Sequence, residues 1–478
     1  MIHLRDLVDR ARTAAGLGSV VSANGEDTIR SAADLARAFT TPCNTSPIKH
    51  EKLMQLVRRF SREELQRAFR RDPFLANYVV SHWEFAAGET VLTTYPWKVV
   101  IPISDVCNAT CTFCNSWLRG VRTLNLADLD RFAPLLRHAA EIGLEGHGEP
   151  LIHPQIEALI QRLTELVDPR CWKYLITNGA RLGHCFDLLQ KLEINNYTIS
   201  LNAATAKTHE AIMGLGPDAF PRIIESIERL IEIRNERRRT HPTHEAMQIY
   251  ITFVVVNQNL HEVAPFIELA NRLGVTAVRL RTLLPQSGLL QGLNYHLLPP
   301  YEHPEFEKLR QRALAAIQES KVSVVADVSS WSAPIFPLEV VHQIKTSPPI
   351  VIGKAEAKKH ERPDLTPFRG DEMRQQRGQR LAHAPKDEAE ATENFFNRRS
   401  RYMCSDVYWI WHWNDFLNII RPCCYMERPP GYEYLHYDGT YDFFEAWNSP
   451  AFVEIRRALR DGPLISWCQR CPAQTQYT

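Results

Sequence analysis

Three cysteines stand at spacings of four and three residues in Cys107-Asn-Ala-Thr-Cys111-Thr-Phe-Cys114. They follow a β-branched run, Lys98-Val-Val-Ile-Pro-Ile103, so a turn after a strand can aim three thiolates at one point. A closed zinc site takes four nitrogen or sulfur ligands. Three thiolates instead suit a 4Fe–4S cluster whose fourth iron stays open to a small molecule. Zinc, or a chance grouping of cysteines, is the alternative these residues leave open.

The remaining cysteines are unevenly placed. Of eleven in the chain, five lie from position 404 onward, as Cys404, the pair Cys423-Cys424, and Cys468-Gln-Arg-Cys471. Aromatic strand text from Val407 to Trp413 suggests a hairpin, and a helix through Ile455 and Leu459 leads to the final CxxC. Four thiolates from a hairpin and a helix exit can close around one 4Fe–4S cluster, and equally around one zinc ion. Cys43, Cys171 and Cys185 stand alone and read as small buried hydrophobes.

Composition narrows the setting. Apolar residues make up 44% and charged residues 23% of 478, ordinary for a globular protein, and length alone suggests roughly three domains. A net charge of +1 gives no field directed at nucleic acid or an anionic membrane. The run Arg237-Arg238-Arg239 follows Glu225, Glu228 and Glu232 on one predicted helix and reads as a solvated helix end. No apolar stretch is long enough to span a bilayer, and the first turns carry Arg5, Asp6, Asp9 and Arg10 rather than a secretory segment. The expectation is a cytoplasmic chain with no membrane partner, where clustered cysteines serve metals rather than disulfides.

The elements that would position these groups follow from periodicity. Residues 1–94 read as helices: Leu4, Leu7, Val8 and Ala11 keep helical spacing, as do Leu53, Leu56, Val57 and Phe60, and Ser61 to Glu64 fits a capping box. From Pro96 short apolar strands alternate with amphipathic helices. Expected strands are 98–104, 143–149, 173–178, 197–202, 248–256 and 277–283, and helices fall near 126–141, 154–167, 183–192, 218–237 and 260–273. Such alternation implies parallel strands with crossover helices, here six units and too few for an eight-fold barrel. One more helix and a strand at 322–326 follow, and 345–400 turns polar and irregular, as a loop or insertion.

Function in parallel α/β sheets gathers at the carboxyl ends of strands, and further motifs fall there. Gly146-His147-Gly148-Glu149-Pro150 combines glycines that admit a close backbone approach with a carboxylate able to hold an ammonium group. Thr177-Asn178-Gly179 ends the next strand, and Ser200 and Asn202 alternate onto one face of the fourth. Arg279 and Arg281 share a face of the sixth. Taken singly, these read as turns, polar strand ends and surface ion pairs.

Taken together, the cysteine spacing with Phe113 before its last member, the Gly146–Pro150 segment, Asn178 and the polar end of the fourth strand resemble the radical SAM superfamily. The C-terminal block, with Pro422-Cys423-Cys424, Trp447-Asn448 before a helix and a terminal CxxC, resembles that family's twitch/SPASM extensions. It departs from them in Asn418, where glycine is usual. Five cysteines are fewer than SPASM domains carry, so the one-cluster twitch form fits better. The resemblance implies an α/β fold: a partial (βα)6 barrel at 95–300, a helical N-terminal extension at 1–94, a connecting segment at 301–400, and a small auxiliary cluster domain at 401–478. It implies two 4Fe–4S clusters, one held by Cys107, Cys111 and Cys114, the other by Cys404, Cys423 (or Cys424), Cys468 and Cys471. S-adenosylmethionine would sit against Phe113, Gly146, Gly148, Glu149, Pro150, Asn178, Ser200 and Asn202, with Arg279 or Arg281 available to its carboxylate.

By the same resemblance, an electron from a reductase such as flavodoxin or ferredoxin cleaves bound S-adenosylmethionine to a 5′-deoxyadenosyl radical, which takes a hydrogen atom from substrate. The first expectation is a two-electron oxidation of a small metabolite or natural-product intermediate, the auxiliary cluster accepting the second electron. A maturase of a ribosomally made peptide is the alternative, and a zinc-binding protein without turnover the minor one. His147, Glu145 and Arg281 are the candidates for moving a proton.

Overall fold

The computed structural model describes residues 29–42, 50–114, 123–146, 148–240, 247–282, 299–326, 331, 406–414, 419–421, 435–436 and 442–462. Outside them lie Leu4 to Ala11, Cys43, His147, the 345–400 stretch, and Cys404, Cys423, Cys424, Cys468 and Cys471.

The chain opens with four helices, α1 (Ala32–Ala38), α2 (His50–Val57), α3 (Arg62–Phe69) and α4 (Pro73–Ala87). The capping box forms as read: Ser61 Oγ accepts the Glu64 amide at 3.2 Å and Glu64 Oε2 accepts the Ser61 amide at 2.7 Å. Leu53 and Val57 are fully buried and Phe60 packs partly beneath them, in a core shared with Leu35, Leu65, Tyr78 and Val79. Inside that core, His82 Nδ1 lies 2.7 Å from the Tyr78 carbonyl and its Nε2 lies 3.0 Å from His50 Nδ1, with the ring stacked on Trp97. Burial, and then the neighbouring His50, hold His82 down at about 3, so it is neutral. Gly88, at φ 71, ends α4 in the left-handed conformation that glycine adopts without a Cβ penalty.

Next come the strands β1 (Lys98–Pro102), β2 (Glu141–Glu145), β3 (Trp172–Thr177), β4 (Asn196–Ser200), β5 (Gln248–Val255), β6 (Ala277–Thr282) and β7 (Ser323–Ala326), each parallel to the last. The seventh extends the six-strand expectation, because the strand read at 322–326 joins the same sheet. Crossovers are α5 (Leu126–Arg131) with α6 (Ala133–His138), α7 (Ile156–Leu166), α8 (Phe186–Leu192), α9 (Ala206–Met213) with α10 (Ala219–Thr240), α11 (Val263–Leu273) and α12 (Phe306–Glu319). The helix expected over 126–141 is two: it breaks at Phe132, with a proline in the first turn of α6, and Glu141 already belongs to β2. The basic run of 237–239 does end α10, where Arg239 pairs with Glu236.

The two faces of the sheet differ in kind. Val99, Ile101, Ile142, Leu144, Leu175, Tyr197, Ile199, Ile249, Ile251, Phe253, Val278 and Leu280 alternate onto one face and enter the core under the helices, which Cys171 and Cys185 also fill. The other face carries Lys98, Glu141, Glu145, Tyr174, Asn196, Thr198, Ser200, Gln248, Tyr250, Thr252, Arg279 and Arg281. Strands covered by helices on both faces read as continuous apolar runs. This inner face is polar instead, as suits strands surrounding a polar ligand.

The C-terminal segment extends the sheet. After the turn α13 (Asp406–Trp409), β8 (Ile410–Asn414) lies parallel to β1, and β9 (Ile419–Arg421) returns antiparallel with β10 (Leu435–His436) beside it. The hairpin read from the aromatic text therefore forms, starting three residues later than that text. Helices α14 (Phe443–Trp447) and α15 (Pro450–Asp461) follow. Asn448 exchanges two 2.7 Å hydrogen bonds with the backbone of Leu92, and buried Arg456 donates to the Val407 and Thr90 carbonyls at 3.0 and 3.2 Å. These bonds fasten α14 and α15 to the segment entering β1. Among the described residues no helix is long and apolar enough to cross a membrane.

Candidate cluster and cofactor site

Cys107, Cys111 and Cys114 lie in the loop that leaves β1, half-buried and unbridged. Backbone pairing holds the loop in place. The Thr110 and Thr112 amides donate to the Met213 and Ile212 carbonyls, both at 2.9 Å, so the loop caps the C-terminus of α9. Gly214 follows at φ 62, and a Cβ there would lie 2.0 Å from Thr110 Oγ1. Cys111 and Phe113 pack on Ile212, Met213 and Val256, with the Cys111 thiol 3.5 Å from the Met213 sulfur.

The glycine segment after β2 is joined to this loop along its other side. Gly148 donates to the Ser104 carbonyl at 2.8 Å and Glu149 to the Val106 carbonyl at 2.9 Å. A Cβ on Gly148 would stand 2.1 Å from the Val106 oxygen, so two backbones cross there at a distance only glycine permits. The Glu149 carboxylate is buried and accepts from Thr177 Oγ1 at 2.6 Å, the Asn178 amide at 2.6 Å and the Leu151 amide at 3.1 Å. Burial raises its pKa against the pull of those donors. Pro150 begins a short 3-10 turn and is buried. Asn178 turns back to the cysteine loop, donating to Asn108 Oδ1 at 2.7 Å with its nitrogen 3.9 Å from the Cys107 sulfur.

At the exit of β4, Ser200 Oγ lies 3.4 Å from Thr252 Oγ1. The alternation expected to put Ser200 and Asn202 on one strand face ends at Ser200, because Asn202 sits at φ 57 in the left-handed region. Its side-chain oxygen accepts the Val254 amide at 2.8 Å and its nitrogen approaches the Met213 sulfur at 3.1 Å. Asn259, missed by the sequence reading, secures that turn: its Nδ2 reaches the Asn202 and Val254 carbonyls at 3.0 and 2.9 Å and its Oδ1 accepts the Val256 amide. Glu262, also missed, accepts from Ala204 N at 2.6 Å and Thr205 Oγ1 at 2.5 Å. Both lie in the β5–α11 connection, where sequence shows only polar loop text. Glu145 stands at the end of β2 with Tyr174 Oη at 3.4 Å, and Arg281 is exposed at the end of β6.

Burial pushes the Cys107 thiol up to about 11 and Cys111 higher still; Glu149 and Cys114 add to the first, and the neighbouring thiols to the second. Thiols so placed become thiolates when a metal centre supplies the positive charge. Among the described residues no three His, Cys, Asp or Glu side chains close around a single ion. Zinc needs its ligands within about 2.3 Å of one point, whereas a 4Fe–4S cluster spreads its thiolates over several irons. Three free thiols on one loop are the donor set that a 4Fe–4S cluster with one open iron takes.

Residues 101–270 match the sequence model of the family described as Radical SAM superfamily. The chain is 28% identical over 191 residues to a probable GTP 3′,8-cyclase of Saccharolobus islandicus, covering 39% of this chain and 56% of that protein. It is 27% identical over 154 residues to the FeMo cofactor biosynthesis protein NifB of Frankia alni, 30% of each. Among solved structures, Streptococcus suis SuiB bound to S-adenosylmethionine aligns with a TM-score of 0.47 at 13% identity, over 85% of this chain and 83% of that one. The match spans just over half the length of the cyclase.

Proposed function

We propose that this radical SAM superfamily enzyme removes a hydrogen atom from an unactivated C–H bond of a small metabolite or natural-product intermediate and completes a two-electron oxidation. One observation carries the reading: the loop of Cys107, Cys111 and Cys114 and the segment Gly146–Pro150 are hydrogen-bonded side by side at the carboxyl ends of β1 and β2. Bound there, a 4Fe–4S cluster and S-adenosylmethionine supply a carbon radical strong enough to break such a C–H bond.

The chain's own residues then have defined tasks. The three cysteines hold the cluster, with Asn178 steadying Cys107 through Asn108. The backbone at Gly146 and Gly148 gives the cofactor close approach, and the buried Glu149 fixes the exits of β2 and β3 in register. Phe113 lines the loop, and Pro150, Ser200 and Asn202 shape the rest of the cofactor site. Glu145, at the end of β2, takes a proton should the substrate be an alcohol. We assign Cys404, Cys423, Cys468 and Cys471 to an auxiliary 4Fe–4S cluster that accepts the second electron, and a flavodoxin- or ferredoxin-type reductase as the source of the first.

The test is anaerobic reconstitution. About eight irons per chain are expected, and the triple Ala variant of Cys107, Cys111 and Cys114 should lose about half of them together with all 5′-deoxyadenosine formation. S-adenosylmethionine cleavage by that variant would overturn the assignment.

A further inference from the structure

Two arginines stand on the inner face of the sheet. Arg279 and Arg281 alternate along β6, with Leu280 between them turned into the core under the helices. Their partners across β5 are Thr252 and Val254, neither a carboxylate. Among the described residues no acidic side chain pairs with either guanidinium. Arg279 is half-buried and lies over the Tyr250 ring, 4.3 Å from its centre. It is also close enough to Tyr174 of β3 for its charge to act on that hydroxyl, although β4 and β5 separate the two strands. Arg279 thus reaches over Tyr250 toward the middle of the inner face, one pleat deeper than the strand end that carries Arg281.

Burial of the deeper guanidinium is the larger cost, and repulsion from Arg281 adds to it; both lower its pKa. A salt bridge built for stability would place a carboxylate between them. Among the described residues none stands there, which leaves the place to a bound anion.

We infer that Arg279 and Arg281 bind an anionic group of the substrate, a carboxylate or a phosphate, and so hold the substrate's reacting carbon toward the Cys107–Cys114 loop. The inference rests on the proposed function above and narrows its substrate to an acid or a phosphorylated compound. The planar fork of arginine matches both anions through paired hydrogen bonds, and the face of Tyr250 keeps Arg279 oriented for it. The carboxylate of S-adenosylmethionine offers the same chemistry, and the cofactor-affinity arm of the experiment separates the two sources.

The experiment uses the full chain with its clusters reconstituted without air. The 31P linewidth of inorganic phosphate reports anion binding, and equilibrium dialysis of labelled S-adenosylmethionine reports the cofactor. Wild-type protein should bind phosphate with a strong dependence on salt, and Arg279→Gln and Arg281→Gln should each weaken it by about tenfold or more. Arg279→Lys, which keeps charge and fold, should weaken it less, and cofactor affinity should stay within about twofold in all three variants. Phosphate binding that ignores the substitutions overturns the site. A parallel loss of S-adenosylmethionine affinity reassigns the arginines to the cofactor and overturns the substrate inference. Wild-type protein that takes up S-adenosylmethionine but no phosphate overturns the anion site alone; failure to take up S-adenosylmethionine brings down the underlying function as well.

Discussion

Asn178 donates its side-chain amide to Asn108 Oδ1 at 2.7 Å, tying the end of the third strand to the loop that carries Cys107. The same residue offers its backbone amide to Glu149 at 2.6 Å. A single asparagine thus joins the cysteine loop, the glycine segment and β3.

Asn178→Ala should leave the barrel folded but loosen Cys107. Outer-shell partners of metal ligands are typically worth roughly 10- to 100-fold in metal affinity. Iron and acid-labile sulfide retained after a timed chelator challenge should fall accordingly. Asn178→Asp should fall further, since it sets a second carboxylate beside Cys107 and the buried Glu149. Equal retention in all three proteins would contradict the bridging role.

Gly148→Ala places a Cβ against the Val106 carbonyl, a backbone atom that cannot step aside as a flexible side chain can. The two loops must separate, at a cost of about 1–3 kcal/mol in stability. Urea unfolding measures that cost, and cluster incorporation should drop with it. Normal iron loading at wild-type stability would show that the close approach is dispensable.

Burial keeps His82 neutral in the fold, at about 3, whereas the unfolded chain protonates it near 6.5. The unfolded state therefore binds more protons between these values, and stability falls as pH drops through 6.5 toward 3. From pH 7 to pH 5 this one group should remove about 2 kcal/mol of unfolding free energy. His82→Gln should flatten the pH dependence by that amount, and an unchanged slope would refute the assignment. His209, fully buried on α9 and held at about 4 by burial, adds a loss of the same sign.

Cys468→Ala with Cys471→Ala should spare cleavage of S-adenosylmethionine yet stop product formation, because the electron left on the substrate would have no acceptor. Iron content should fall by about half. Unchanged product would remove the auxiliary cluster from the reaction.

Periodicity along the chain set the alternation of strands and helices, since apolar side chains at spacing two or near 3.6 must reach one core. The spacing of Cys107, Cys111 and Cys114 likewise brought three thiols together, because three residues so near in sequence share a loop in any fold. The capping box of Ser61 and Glu64 was equally legible, its partners three positions apart. Tertiary structure decided what depends on distant pairings. Strand order and side-chain reach set Arg279 over Tyr250, and the crossing of two loops requires glycine at 148. Only the folded chain puts Asn259 beneath Asn202, or β8 on the free edge of β1. No local pattern encodes these contacts, because each joins residues whose separation along the chain is bridged by packing rather than by periodicity.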